Sequence, residues 1–208
     1  MSKVTIQGNA SGTGTFTIAA PNSNTDRTFN LPDAAGTVLT TGNQSDFPAG
    51  SVLQVVQTVK TDTFSTTALG SSPADVTGMS VSITPSSSSN KILVMVNGLG
   101  GYNNYQVMVR LVRDSTPISI GDANGSRPRM STAFGAYVAN GNYEQYHLGP
   151  FSICYLDSPA TTSSTTYKLQ MGTYSTYAVY LNRSHGWQDN TNYDPAVASS
   201  ITAMEIAG

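Results

Sequence analysis

Along most of the chain, apolar and polar residues alternate with a period of two. Met79, Val81 and Ile83 alternate with Ser80, Ser82 and Thr84; Tyr177, Val179 and Leu181 with Ala178 and Tyr180; Ile201 and Ala203 with Thr202 and Met204. Successive side chains of a strand point to opposite faces, so this is the pattern of half-buried antiparallel strands. Helical spacing of three and four never runs ten residues without Gly, Pro or a Ser-Thr cluster. Strands are predicted at about 51–59, 76–84, 91–97, 105–113, 117–121, 132–139, 148–156, 166–173, 176–182 and 198–206, divided by turns such as Pro85 to Asn90 and Asn140-Gly141. The expected fold is all-β, a two-sheet sandwich or jelly roll.

Two strands are apolar on both faces. Leu93 and Met95 oppose Ile92, Val94 and Val96, and Val52 and Val56 oppose Leu53, Val55 and Val59. One face belongs to the core and the other also needs cover, from a loop of the same chain or from another subunit. The subunit interface is the favoured reading.

The first forty-odd residues differ. Val4, Ile6, Phe16, Ile18, Phe29, Leu31, Val38 and Leu39 form short apolar pairs spaced by Gly, Asn, Ser and Pro, with an echo between Thr15 to Pro21 and Thr28 to Ala34. Strands this short cannot hold a core alone, whereas copies wound around a symmetry axis would bury each Phe against its equivalents. The chain therefore divides into an anchor or shaft segment at 1–42, a linker at 43–50 and a sandwich head at 51–208.

Composition narrows the function. The 208 residues carry 10 Lys+Arg and 12 Asp+Glu, and only 11% are charged, against about one quarter in an ordinary domain. Ser and Thr make the surface polar instead. No basic stripe for nucleic acid is present, and the longest aliphatic run, Ile92 to Val96, is far below the ~20 residues of a membrane helix. The single Cys154 rules out an intrachain disulfide framework, and the start lacks the apolar stretch of a secretory signal.

Motifs for catalysis are missing: no phosphate-binding glycine loop, no nucleophile elbow, no His-Glu-x-x-His, no Cys-x-x-Cys. Cys154 is expected as a small buried hydrophobe. His147 and His185 lie in or beside turns and lack a local third metal ligand. Of the carboxylates a glycan-cleaving enzyme would need, Glu144 and Glu205 are the candidates. Glu205 shares a face with Ile201 and Ala203, so it is expected to turn inward and pair with an Arg. No enzymatic activity, cofactor or resident metal is expected; Asp189, Asn192 and Asp194 form a weak calcium candidate without the EF-hand pattern.

Binding chemistry is better represented. Tyr102, Asn103, Asn104 and Tyr105 form one loop rich in aromatic and amide side chains. Asn140 to His147 forms another. A third, Arg183 to Asp194, contains Trp187, Gln188, Asn190 and Tyr193. Rigid rings supply contact area at low entropic cost and amides supply adaptable hydrogen bonds, so a cell-surface glycan is a fitting ligand. Ten alternating strands, with the two ends of the domain close together, would put loops 98–104 and 183–197 at the far tip and loop 140–147 at the shaft end.

Several of these stretches resemble known virion proteins. The run Gly14-Thr-Phe-Thr-Ile18 and the run Arg27 to Thr41 resemble a segment near the start of many tail-fibre and related proteins of tailed bacteriophages. Ser51 to Gln57, Val81 to Pro85 with Lys91 to Val94, Arg113 to Ser115, Leu156 to Pro159 and Ser200 to Ile206 look like a jelly-roll module common in phages of aquatic bacteria. The resemblance implies a homotrimer within the virion, assembled in the host cytoplasm. Its axial amino-terminal part would meet other virion proteins, and its outward β-sandwich head would adsorb to host glycan or protein. A capsid decoration or head-fibre protein is the alternative, and nucleic acid or membrane insertion is expected for neither.

Overall fold

The computed structural model describes residues 8, 10–15, 17–19, 22–26, 28, 30, 33, 35–36, 47–135, 145–189 and 192–208. The chain divides into two units, Met1–Thr37 and Val38–Gly208. In the first, the described residues are exposed turns and irregular backbone; Ile18 is 75% exposed within the single chain. Val4, Ile6, Phe16, Phe29, Leu31, Val38 and Leu39 lie outside the described residues.

The second unit is all-β. Its strands are β1 (Val52–Lys60), β2 (Phe64–Thr66), β3 (Ala74–Ile83), β4 (Lys91–Tyr102), β5 (Val107–Arg113), β6 (Thr116–Ile118), β7 (Thr132–Phe134), β8 (Gly149–Asp157), β9 (Thr165–Gly172), β10 (Val179–Leu181) and β11 (Ser199–Ile206). Three pairs of these are successive pieces of one line running the same way. β1 and β2 flank the β11 and β10 line, β10 and β11 both run antiparallel to β4, and β6 and β7 both run antiparallel to β5. Counted as lines, one layer is β8, β4, β11 with β10, and β1 with β2; the other is β3, β9, β5, and β6 with β7. The first line pairs with the last and the second with the seventh, which is the jelly roll.

Alternation sets the core. Met79, Val81 and Ile83 of β3, with Tyr167, Leu169 and Met171 of β9, face Ile92, Val94 and Val96 of β4 and Ile201 and Ala203 of β11. The bulge in β3 between Asp75 and Ser80 holds Gly78 at φ +81, a backbone shape that other residues rarely adopt.

Three expectations are corrected here. The glycine-rich stretch after Asn97 is strand, not loop, because close packing requires glycine. A Cβ on Gly98 would lie 2.4 Å from the Phe151 ring, and one on Gly101 would lie 2.6 Å from the Arg183 carbonyl. A short strand, β2, went unpredicted at Phe64–Thr66. Strict alternation of direction also fails. β6 and β7 run the same way, so β8 starts at the end where β4 finishes: Gly149 pairs with Gly100.

The ends of the sandwich do lie together, since Gly50 N–H donates to the Ala207 carbonyl at 2.8 Å and Ala207 N–H to that of Ser51 at 2.9 Å. Lys91 pairs with Ile206 at this proximal end, and Tyr102 pairs with Val179 at the opposite, distal end. Loops 103–106, 173–178 and 182–198 are therefore distal, as are the described residues 145–148. Loop 140–147 was expected at the other end; its described part sits at the tip.

Candidate functional site

Two aromatic groups occupy the distal end. The first gathers Tyr105 from the β4–β5 loop with Tyr174 and Tyr177 from the β9–β10 loop, ring centroids 5.1 and 5.4 Å from Tyr105. Tyr174 is 68% exposed. A pocket of about 270 Å³ lies among Tyr105, Gln106, Met108 and Tyr174. Asn103 is exposed and Asn104 half-buried beside it.

Tyr102 does not join them. It is the last residue of β4, 3% exposed, in the core and edge-on to His147 at 5.9 Å, so its expected place on a surface loop is corrected. Strand continuity through Gly100 and Gly101 is what carries it inside.

The second group is built on the segment after β10. The Arg183 guanidinium lies 4.2 Å from the Tyr180 ring centre and 5.9 Å from that of Trp187. Such stacking stabilises a cation over the negative face of a ring. No carboxylate pairs with Arg183 among the described residues, and its buried Nε has no hydrogen-bond partner. The Tyr180 hydroxyl and His185 Nδ1 are 3.1 Å apart. Burial first, and the Arg183 charge second, hold His185 below the usual imidazole range.

The loop is shaped by Asp194. One of its oxygens accepts from the Ser184 hydroxyl and the other from Gln188 N–H at 2.7 Å, while Ser184 Oγ accepts from Trp187 N–H at 3.1 Å. The turn fixes Trp187 at the surface, 41% exposed. Tyr193 stacks on Tyr146 at 5.1 Å, and Gly186 N–H donates to the Gln145 carbonyl at 2.6 Å, which ties the two distal loops together. Gln188 is exposed, and Asn190 lies outside the described residues.

Of the calcium candidates, Asp194 is thus engaged within its own loop, while Asp189 and Asn192 are exposed. Among the described residues no three His, Cys, Asp or Glu side chains gather as a metal site. Glu144 lies outside the described residues. Glu205 is buried at the proximal end, as expected, but its partner is not an Arg. Its Oε1 accepts from Ser86 N–H at 2.6 Å, Ser86 Oγ at 2.7 Å and Asn90 Nδ2 at 2.7 Å, so the turn between β3 and β4 satisfies the carboxylate.

Cys154 is exposed, not buried, because strand parity sends Phe151 and Ile153 inward and Cys154 to the outer face. Sequence reading passed over Tyr174 and Tyr177, and took Arg183 and Tyr146 only as members of their loops. The Tyr-rich, Ser- and Thr-spaced composition around 174–177 was the available signal, masked by reading 176–182 as one strand.

Neither a protein-family profile nor a curated protein matches the chain. Among solved structures, the chain is similar to that described as "Crystal structure of infectious bursal disease virus VP2 subviral particle", at 14% identity and a TM-score of 0.31. The match covers 74% of this chain and 37% of that one, so the chain spans well under half of the protein it resembles.

Proposed function

We infer that this chain is a non-enzymatic structural protein of a virion, a homotrimeric fibre or spike whose distal loops adsorb to a glycan on the host surface. The observation that carries the reading is the convergence of Tyr105, Tyr174, Tyr177, Arg183, Trp187 and Tyr193 at the end opposite the entry of the chain. An end that points away from its attachment is where an adsorption surface must lie. Trp187 offers a flat apolar face for a sugar ring, Gln188 and Asn103 offer amides for its hydroxyls, and Arg183 favours a sugar bearing a carboxylate. The amino-terminal segment would join the head to the particle through other virion proteins.

Trp187→Ala tests this. Loss of the platform should weaken adsorption by about 2 kcal/mol, roughly thirtyfold, with the melting temperature unchanged because the ring fills no core space. Unchanged adsorption together with a markedly less stable protein would refute the tip site. Labelled antibody against the head, imaged on intact particles, separates a tail fibre from a shell decoration by its position.

A further inference from the structure

The outer face of the layer β8, β4, β11 and β1 carries an apolar row left partly open among the described residues, followed towards the distal end by a mixed row, Gln57, Thr202, Met95 and Cys154, and then by Val59 beside Ser200, Asn97 and Ser152. Cross-strand register places Val55, Met204, Leu93 and Leu156 in one row running across all four strands. Val52 and Val59 extend the patch on β1, and those two, Val55 and Leu156 are each about half exposed. A single exposed apolar residue means little, whereas a continuous row across a sheet marks a contact surface.

We propose that this face seats a second copy of the same chain. The inference rests on the assembly reading above and adds the surface through which it occurs. Three features point to a copy and not to a partner of other chemistry. Charge is absent from the face except at its rim, where Lys91 pairs with Ile206 and is exposed, so like meets like without repulsion. The central polar pair satisfies itself, Gln57 Nε2 donating to Thr202 Oγ1 at 2.8 Å, and asks nothing of a partner. The size is also suitable. Four strands about 4.8 Å apart and about nine residues long give a footprint on the order of 550 Å² before side-chain relief is counted, near the ~800 Å² each partner gives a stable interface. Towards the distal end the face sinks into a depression of about 600 Å³ between Gln57, Val59, Leu99, Pro150 and Ser152, relief that a facing copy can fill.

Cys154 lies in the row next to the apolar one, opposite Met95, and reports on cover directly. With full-length protein, solution mass is measured by light scattering while alkylation of Cys154 is followed from nanomolar to tens of micromolar. Expected is a mass of three chains at micromolar protein with Cys154 alkylated at least tenfold more slowly than on dilution; a protected two-chain species would keep this face and overturn the trimer. In the double variant Val55→Asp, Leu156→Asp the mass should fall to one chain and the thiol should react freely. A multimer whose Cys154 stays reactive, or a variant that stays multimeric, overturns this face and leaves assembly itself standing. A monomer at tens of micromolar overturns both, and a monomer with a protected thiol shows that the chain covers its own face. Should the double variant not fold, the dilution series on the unaltered protein decides alone.

Discussion

The two layers of the sandwich bury similar inner faces and present opposite outer ones. Outside β3, β9 and β5 runs a polar chain. Arg110 donates to Gln170 Oε1 at 2.9 and 2.6 Å, Gln170 Nε2 to Asp75 at 2.6 Å, and Lys168 Nζ to the other Asp75 oxygen at 2.7 Å. Outside β8, β4, β11 and β1, one whole rung is apolar, Val55, Met204, Leu93 and Leu156, and the next rungs set Met95, Cys154 and Val59 among uncharged Gln, Thr, Ser and Asn. Water can solvate the first face; the second loses free energy until something apolar covers it, at ~25 cal/mol per Å². Jelly-roll geometry treats the layers alike, so the difference comes from side chains and marks one face for contact.

If the asymmetry belongs to the outer faces alone, equal damage inside should cost the two layers equally. Leu169→Ala, behind the polar face, and Ile201→Ala, behind the apolar one, should each destabilise by about 2–5 kcal/mol, read as matched falls in denaturant midpoint with unchanged slope. A much smaller cost on one side would mean that the layers do not share one core.

The tie between the layers comes next. Asp157 ends β8 and accepts from Arg113 of β5 at 2.9 Å and from the Tyr167 hydroxyl of β9 at 2.7 Å. Burial and this carboxylate push the Tyr167 phenol far above its ordinary range, so the hydroxyl stays a donor. Asp157→Ala strands that hydroxyl and a partly exposed guanidinium. A loss of about 2–3 kcal/mol in chemical denaturation is expected, below the range for a fully buried pair because Arg113 reaches solvent. A loss under 0.5 kcal/mol would show the layers held by apolar packing alone.

Smallest is the polar outer face. The hydrogen bond from Lys168 first, then that from Gln170, hold Asp75 below the ordinary carboxylate value of 3.8. Its contribution is complete above that value and is lost as pH falls through the lower folded one. Asp75 is half exposed, so Asp75→Asn should cost only about 0.5 kcal/mol at pH 7, and the difference should shrink as pH falls below 3.8. A cost above 2 kcal/mol would make that face structural instead of merely solvated.

Much of this could be read from residue order. The alternation at Met79, Val81 and Ile83 and at Ile201 and Ala203 sets strands and inner faces, and the double-sided pattern at 92–96 announces the apolar outer face. Less legible were features decided by distant partners. Gly98, Gly100 and Gly101 look like a loop until Phe151, Phe134 and Arg183 are brought against them. Ser86 and Asn90, more than a hundred residues from Glu205, replace the Arg expected to pair with an inward carboxylate. Of the tip, Trp187 and Tyr105 were legible from their polar surroundings. Tyr102 was not, because only pairing with Val179 reveals that its loop is strand, and Arg183 stands out only once Tyr180 lies under it.

Methionine footprinting tests the contrast between faces most directly, since half-buried methionines stand on both. Met95 and Met204 lie on the apolar outer face and Met108 on the outer side of β5. Brief peroxide oxidation of the full chain, with sulfoxide quantified by mass spectrometry, should find Met95 and Met204 at least fivefold slower at tens of micromolar than at nanomolar protein, and Met108 unchanged. Equal rates for Met95 and Met204 at both concentrations, matching Met108, would contradict a covered apolar face.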